Sequence, residues 1–260
     1  MTLETEAQLI ALKKIGAIVA DCLKHMLGSI EDGMTTKDLD SIGRTFLEAR
    51  GARSAPELTY GFPGATCISL GREAAHGIPN DRKITPDTLI NIDVSAELGG
   101  FFGDTGASLY YKGTDKRLKA LCKATRGALN SAIREVKSDA PLNRIGKAVE
   151  KEARKDGFTV IKNLCSHGVG SGLHEEPGEI PCYYESRDRR SIHDGMVFTI
   201  EPFLSTQTIN VTDGEDGWAL LNDRGHFSAQ YEHSMVATKK GAIVLTMPTY
   251  GLPFQPQICV

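Results

Sequence analysis

Four acids stand where the hydropathy of the chain calls for apolar side chains. Leu89-Ile90-Asn91-Ile92-Asp93-Val94 reads as a buried strand, and period-two alternation puts Asn91 and Asp93 on one face with Leu89. An ionised carboxylate taken out of water without a partner is so costly that such a residue is protonated, paired with a cation or bound to metal. A strand-end aspartate capping a turn would explain Asp93 if it stood by itself. Phe101-Phe102-Gly103-Asp104 follows, however, and after Leu98-Gly99-Gly100 can return as the neighbouring antiparallel strand, setting Asp93 and Asp104 side by side. Val197, Thr199 and Glu201 share a face of a later strand, and Gln230, Glu232 and Ser234 share one in Ala229–Val236. Four converging acids with no Lys or Arg in these strands call for divalent metal, two ions sharing carboxylates rather than one overcrowded ion; the alternative is four separate exposed edges. His167, among the small residues of Cys165-Ser166-His167-Gly168-Val169-Gly170, is by itself an ordinary polar residue. Between the acidic pairs it completes four carboxylates and one imidazole, a donor set that suits Mn, Fe(II), Co or Mg better than structural zinc.

The elements that must position these residues come in two similar halves. Leu9, Leu12, Ile15, Val19, Cys22, Leu23 and Met26 fall at helical spacing, and Glu31-Asp32-Gly33 ends the run. Thr35-x-x-Asp38 then opens a second helix with Leu39, Ile42, Phe46 and Leu47, closed at Gly51. The same grammar returns with Leu118, Leu121, Cys122, Leu129, Ala132, Ile133 and Val136, a break at Asp139-Ala140-Pro141, and Leu142, Ile145, Val149 and Ala153 before Gly157. Each helix pair is followed by a His-containing turn (His76-Gly77-Ile78-Pro79, His174-Glu175-Glu176-Pro177) and a strand ending on a carboxylate, so the spacing predicts a duplication facing one shared site.

Composition narrows the partners. With 30 Lys and Arg against 33 Asp and Glu, the net charge of -3 offers no field for general nucleic-acid binding. No run approaches the roughly 18 apolar residues of a membrane span. Cys22, Cys67, Cys122, Cys165, Cys182 and Cys259 form no CxxC pair, which suits reduced thiols in the cytoplasm.

With His76 and His174 beside it, the set Asp93, Asp104, His167, Glu201 and Glu232 resembles that of the methionine aminopeptidases of the pita-bread fold. HGIP, NIDVS, GDTG, SHGVG, LHEEP, FTIEPF and QYEHSMVAT occur in family order over roughly residues 5 to 247. The resemblance implies an α+β pita-bread fold, a pseudo-twofold antiparallel β-sheet flanked by two helix pairs, in which residues 1–260 are one catalytic domain and about 248–260 lie outside the likeness. It implies that Asp93 chelates one divalent ion, that His167 and Glu201 hold another, and that Asp104 and Glu232 bridge both. The ions are Co, Mn or Fe(II), and water shared between them attacks the scissile carbonyl. Glu201 then carries the proton to the leaving amine, while His76 and His174 contact the scissile peptide and stabilise the tetrahedral intermediate. The implied substrates are nascent polypeptide N-termini whose initiator methionine precedes a small residue, met in the cytoplasm, transiently at the ribosome, by a monomer.

Methionine is a flexible thioether, so its pocket should offer aromatic and sulfur contacts. Tyr60, Phe62, Cys67, Leu173, Phe203 and Trp218 are the candidates, with ordinary core packing as the competing explanation of each aromatic. Cys67 has no activating base that would make it a nucleophile. Leu173 stands where many relatives carry Phe. Gly71 replaces a common Asn near a monovalent-cation site, so Gly71, Glu73 and Ser228 are the candidate Na or K ligands. His25, His193, His226 and His233 read as surface or structural. Xaa-Pro aminopeptidases and prolidases share the ligand types but usually carry an added N-terminal domain, for which the first helix leaves no room. The 26 residues between His174 and Glu201 also leave none for the insertion of the type II methionine enzymes, so the likeness is to type I. An Xaa-Pro peptidase and a catalytically silent binding module on this fold are the alternative functions.

Overall fold

The computed structural model describes residues 1–249; of the tail of about 248–260 expected outside the likeness, residues 250–260 lie outside the described residues. The first half runs α1 (Glu6–Gly28), α2 (Thr36–Glu48), β1 (Arg53–Ser54), α3 (Ala55–Tyr60), β2 (Cys67–Leu70), β3 (Glu73–Ala75), β4 (Thr88–Leu98) and β5 (Phe101–Tyr111). The second runs α4 (Lys116–Arg134), α5 (Asn143–Lys155), β6 (Thr159–Val160), β7 (Cys165–Gly168), β8 (Glu175–Pro181), β9 (Val197–Ile200) and β10 (Phe203–Ser205). It ends with β11 (Thr212–Asp213), β12 (Leu220–Leu221), β13 (Ser228–Gln230), β14 (His233–Thr238) and β15 (Gly241–Val244).

Both helix pairs form where the apolar spacing puts them. Thr35 and Asp38 close a reciprocal capping box at the start of α2, and Thr5 with Gln8 does the same for α1. The α1 stripe is buried from Leu12 to Met26, with Leu9 only half-buried. Gly43 of α2 is where the first pair touches: a Cβ there would lie 2.6 Å from Met26 Sδ, so a larger side chain would force the Met26 side chain to shift. Helix α1 packs on β4 and β5, and α4 on α5, β10 and β13, around one core that joins the halves through Ile92, Leu129, Phe198 and Met235.

The β4–β5 hairpin has the expected antiparallel pairing over its full length, from Thr88 opposite Tyr111 to Leu98 opposite Phe101. Gly99 (φ 61°) and Gly100 (φ 85°) make the turn, a left-handed pair that side chains resist. Among the described residues the antiparallel β structure divides into four hydrogen-bonded sheets. One is β1-β4-β2 with β5 on β4, one β15-β14-β9-β7-β8, one β13-β10-β6 and one β11-β12-β3.

This division corrects one expectation. The run 229–236 is not a single strand, because β13 stops at Gln230 and β14 starts at His233; the run through Glu201 likewise breaks between β9 and β10, at a proline that has no N–H for a ladder. The two runs change sheet together: Ile200 pairs with His233 on one side of the break and Phe203 with Gln230 on the other. Glu201 and Glu232 therefore face the same joint. Strand β5 is stitched to it, for Glu232 N donates to Gly106 O (2.9 Å), Thr105 Oγ1 to Glu232 O (2.8 Å) and Asp104 N to Ser234 Oγ (3.0 Å).

Candidate active site

The hairpin register delivers the first carboxylate pair. Asp93 lies opposite Gly106 and Asp104 opposite Ser95, so the two acids are diagonal neighbours on one face and share a hydrogen bond. From the second half, His167 Nε2 lies 3.3 Å from Glu201 Oε1 and 3.8 Å from Asp104 Oδ2. One ligand atom each of Asp104, His167 and Glu232 falls within 4.8 Å of the others. The five residues singled out for metal thus come together around one point, three as a tight cluster with Asp93 and Glu201 at its edges.

Polar side chains that sequence reading assigned no role hold the cage in place. Gln230 Nε2 donates to Asp93 Oδ2 (3.3 Å) and Glu232 Oε2 (3.2 Å), while its Oε1 accepts from Asn91 Nδ2 (2.8 Å). Glu201 N donates to Ser166 Oγ (2.9 Å), and Thr199 Oγ1 donates to Glu201 Oε1 (3.3 Å). The available signal was their alternation: Asn91, Thr199 and Gln230 share faces with the acids.

Burial, reinforced by the neighbouring carboxylates, pushes Asp104, Glu201 and Glu232 well above the usual carboxylate range, and burial pushes Asp93 up to about 6. The opposite holds for His167: burial, then the nearby His174, depresses it to about 3, so the ring is neutral. Its Nδ1 lies 3.0 Å from Gly168 O, which fixes the proton there and turns the Nε2 lone pair to the acids, as a metal-bound histidine requires.

His76 and His174 stand on the wall of the cleft above. His76 holds a left-handed backbone (φ 55°), a region uncommon for non-glycine residues though less so for histidine. His174 stacks on His167 with ring centroids 3.9 Å apart, and its Nδ1 is 2.7 Å from Tyr60 Oη. Enclosure in the cleft lowers both histidines' pKa values, with His76 adding to the effect on His174. The cleft holds about 450 Å³, and all six candidate pocket residues line it: Tyr60, Phe62, Cys67, Leu173, Phe203 and Trp218. Phe62 meets Trp218 edge-on at 5.1 Å, while Tyr60 is 49 % exposed at the lip. Burial raises the Cys67 thiol far above the range of a nucleophilic thiolate.

The monovalent-cation set is less well assembled. Glu73 Oε1 is ion-paired to Arg82 Nη1 at 2.5 Å and its Oε2 accepts from Leu70 N, so its carboxylate is already committed. Ser228 Oγ accepts from Asn222 Nδ2 (2.8 Å), and Gly71 turns at φ 61°. Of the histidines read as surface or structural, His233 is structural: it is bonded to Thr246 Oγ1 (2.8 Å) and burial lowers it to about 4.

Residues 11–239 match the model of metallopeptidase family M24. The chain belongs to that family. It is 44% identical over 247 residues to methionine aminopeptidase 2 of Bacillus subtilis, covering 95% of this chain and 99% of the relative. It is 38% identical over 250 residues to the methionine aminopeptidase of Haemophilus influenzae, covering 94% and 92%. The crystal structure of the Thermotoga maritima methionine aminopeptidase superposes with a TM-score of 0.90 at 31% identity, over 95% of this chain and all but 1% of that one, which covers 99%. The prolidase of Pyrococcus furiosus, at 18% identity and a TM-score of 0.75, shares the fold over 96% of this chain but only 66% of its own. This M24 chain is thus a metallopeptidase with the pita-bread fold.

The residues present fit divalent metal. Asp104, Glu201 and Glu232 are buried beside a half-buried Asp93 with no Lys or Arg among them, and Asp104 Oδ1 and Glu232 Oε1 are buried without a hydrogen-bond partner. Such orphaned acceptors in a hard-oxygen set are what an M²⁺ ion satisfies. Among the described residues no helix is long and apolar enough to cross a membrane.

Proposed function

We propose that this chain is a methionine aminopeptidase that removes the initiator methionine from nascent proteins and peptides with a small second residue. The observation that carries the reading is the cage of four clustered acids, three of them fully buried, and a neutral imidazole opening into an aromatic cleft of about 450 Å³. Asp93, Asp104, His167, Glu201 and Glu232 would hold two ions of Co, Mn or Fe(II). When bound, such ions supply Lewis-acid polarisation of the carbonyl and an acidified water.

The protein's own groups do the rest. Glu201 Oε1, poised by Thr199 Oγ1, takes up the proton of the attacking water and passes it to the leaving amine. Tyr60 engages His174 Nδ1, leaving Nε2 to donate to the developing oxyanion, while His76 contacts the same peptide. Phe62, Phe203 and Trp218 give the thioether its apolar contacts, with Cys67 and Leu173 closing the pocket. Five unpaired cysteines among the described residues support a cytoplasmic setting, with a monomer working as one catalytic unit on chains leaving the ribosome.

The test is release of methionine from Met-Ala and Met-Lys peptides after chelation and after adding back Mn or Co. Cleavage of Met-Ala alone, abolished and restored with metal, is expected. Equal cleavage of both, or indifference to chelation, overturns the reading, and preference for a Gly-Pro peptide would assign an Xaa-Pro peptidase instead.

A further inference from the structure

One charged side chain of the cleft is not used by the cage. The other acids of the lining, Asp93, Asp104 and Glu201, belong to the cage. Glu179 is then the remaining charged residue of the lining. It is exposed, and its carboxylate has no hydrogen bond or ion pair among the described residues. Arg190, whose field it shares, is committed through Nε and Nη2 to Asp188.

Its place in the sheet aims it at a substrate. Cys165 of β7 pairs with Pro181 of β8 and Ser166 with Ile180, so the next step would set Glu179 opposite His167; there the register slips, and Gly168 pairs with Glu175. Alternation buries Ile180 on one face and leaves Glu179 on the face of Cys165 and His167, toward the cleft. A peptide with its scissile carbonyl at the cage and methionine against the aromatic wall carries a small second residue. Its third side chain, one extended residue of about 3.3 Å further on, is the first free to be large.

We propose that Glu179 is a specificity-determining residue that favours Lys or Arg at the third position of the substrate and disfavours Asp or Glu there. The inference rests on the methionine aminopeptidase reading. An exposed charge pair of this kind is worth roughly 2- to 5-fold in kcat/KM for each sign of charge.

The experiment compares kcat/KM for Met-Ala-Lys-Gly, Met-Ala-Gln-Gly and Met-Ala-Glu-Gly in wild type, Glu179→Gln and Glu179→Lys, at low and high salt. The Lys peptide should lead and the Glu peptide trail in wild type, with the gap closing in Glu179→Gln, reversing in Glu179→Lys and shrinking with salt. Ratios within each protein cancel any change in overall rate or folded fraction. A Lys-to-Glu ratio that is flat in wild type, or unchanged in Glu179→Gln, overturns the role of Glu179 while release of methionine stands. Failure of wild type to release methionine from all three overturns the parent reading and this one with it.

Discussion

Gly106→Ala tests whether the cage is held by packing rather than by the acids themselves. The residue lies opposite Asp93 on β5, and its backbone is in a conformation open to alanine, so any cost comes from the added methyl. That Cβ would meet Gln230, within 2.8 Å of both Cδ and Nε2 and closer still to Oε1. Gln230 is wholly buried and tied to Asn91, Asp93 and Glu232, and so cannot swing aside freely. Overpacking of this kind costs about 1–3 kcal/mol, and leaving Asn91 or the Gln230 amide unpaired costs about 1–3 kcal/mol more. At roughly 2–4 °C per kcal/mol for a chain of this size, Gly106→Ala should melt at least about 4 °C lower by calorimetry. It should also bind Mn more weakly by titration calorimetry, because the donor that orients Asp93 and Glu232 is displaced. In Gly106→Ala/Gln230→Ala the clash is gone, so part of the stability returns while weak Mn binding persists. A Gly106→Ala variant that melts and binds Mn like wild type would refute the reasoning.

Without metal, the buried acids hold protons that the unfolded chain, with Asp near 3.9, has released, so stability should fall as pH rises from about 4 through the raised folded values, including the Asp93 value of about 6. Thermal melts in chelator at pH 4.5 and 7 check this, and adding Mn should raise Tm more at pH 7 than at pH 4.5; a chelated protein more stable at pH 7 contradicts it. Glu232→Gln removes one of four crowded charges and should make the chelated protein more resistant to urea at pH 7, at about 1.4 kcal/mol per pKa unit relieved, while abolishing tight Mn binding. Loss of stability in chelator would show that the acids are not in conflict. Tyr60→Phe removes the hydroxyl bonded to His174 Nδ1 at a half-exposed site, so kcat/KM should drop roughly 2- to 10-fold with little change in Tm. Unaltered turnover would mean that His174 needs no such support.

What could be read from sequence was whatever has a period or a sharp local signal. The helix pairs were legible because Leu12 to Met26 and Leu118 to Ile133 repeat at helical spacing, and the hairpin because Gly99-Gly100 separates two alternating runs. The acids were legible because a carboxylate inside an apolar strand contradicts its surroundings. The sheet change at Glu201-Pro202 and Tyr231-Glu232 was not, since an alternating run keeps its alternation when its partners change. Nor was the capture of Glu73 by Arg82, a pairing between side chains nine residues apart on a non-repeating path.

The sequence by itself determined the two helix pairs, the β4–β5 hairpin with its Asp93–Asp104 diagonal, and the presence of acids that no local partner could neutralise. Each follows from spacing along a few residues. Only the tertiary structure decided that Glu201 and Glu232 meet that diagonal at one joint, that Gln230 reaches through the space left by Gly106, and that Glu179 overlooks the cleft. Those relations join residues roughly a hundred or more positions apart, or across a register slip, where local chemistry exerts no preference and only packing of the two halves fixes distance.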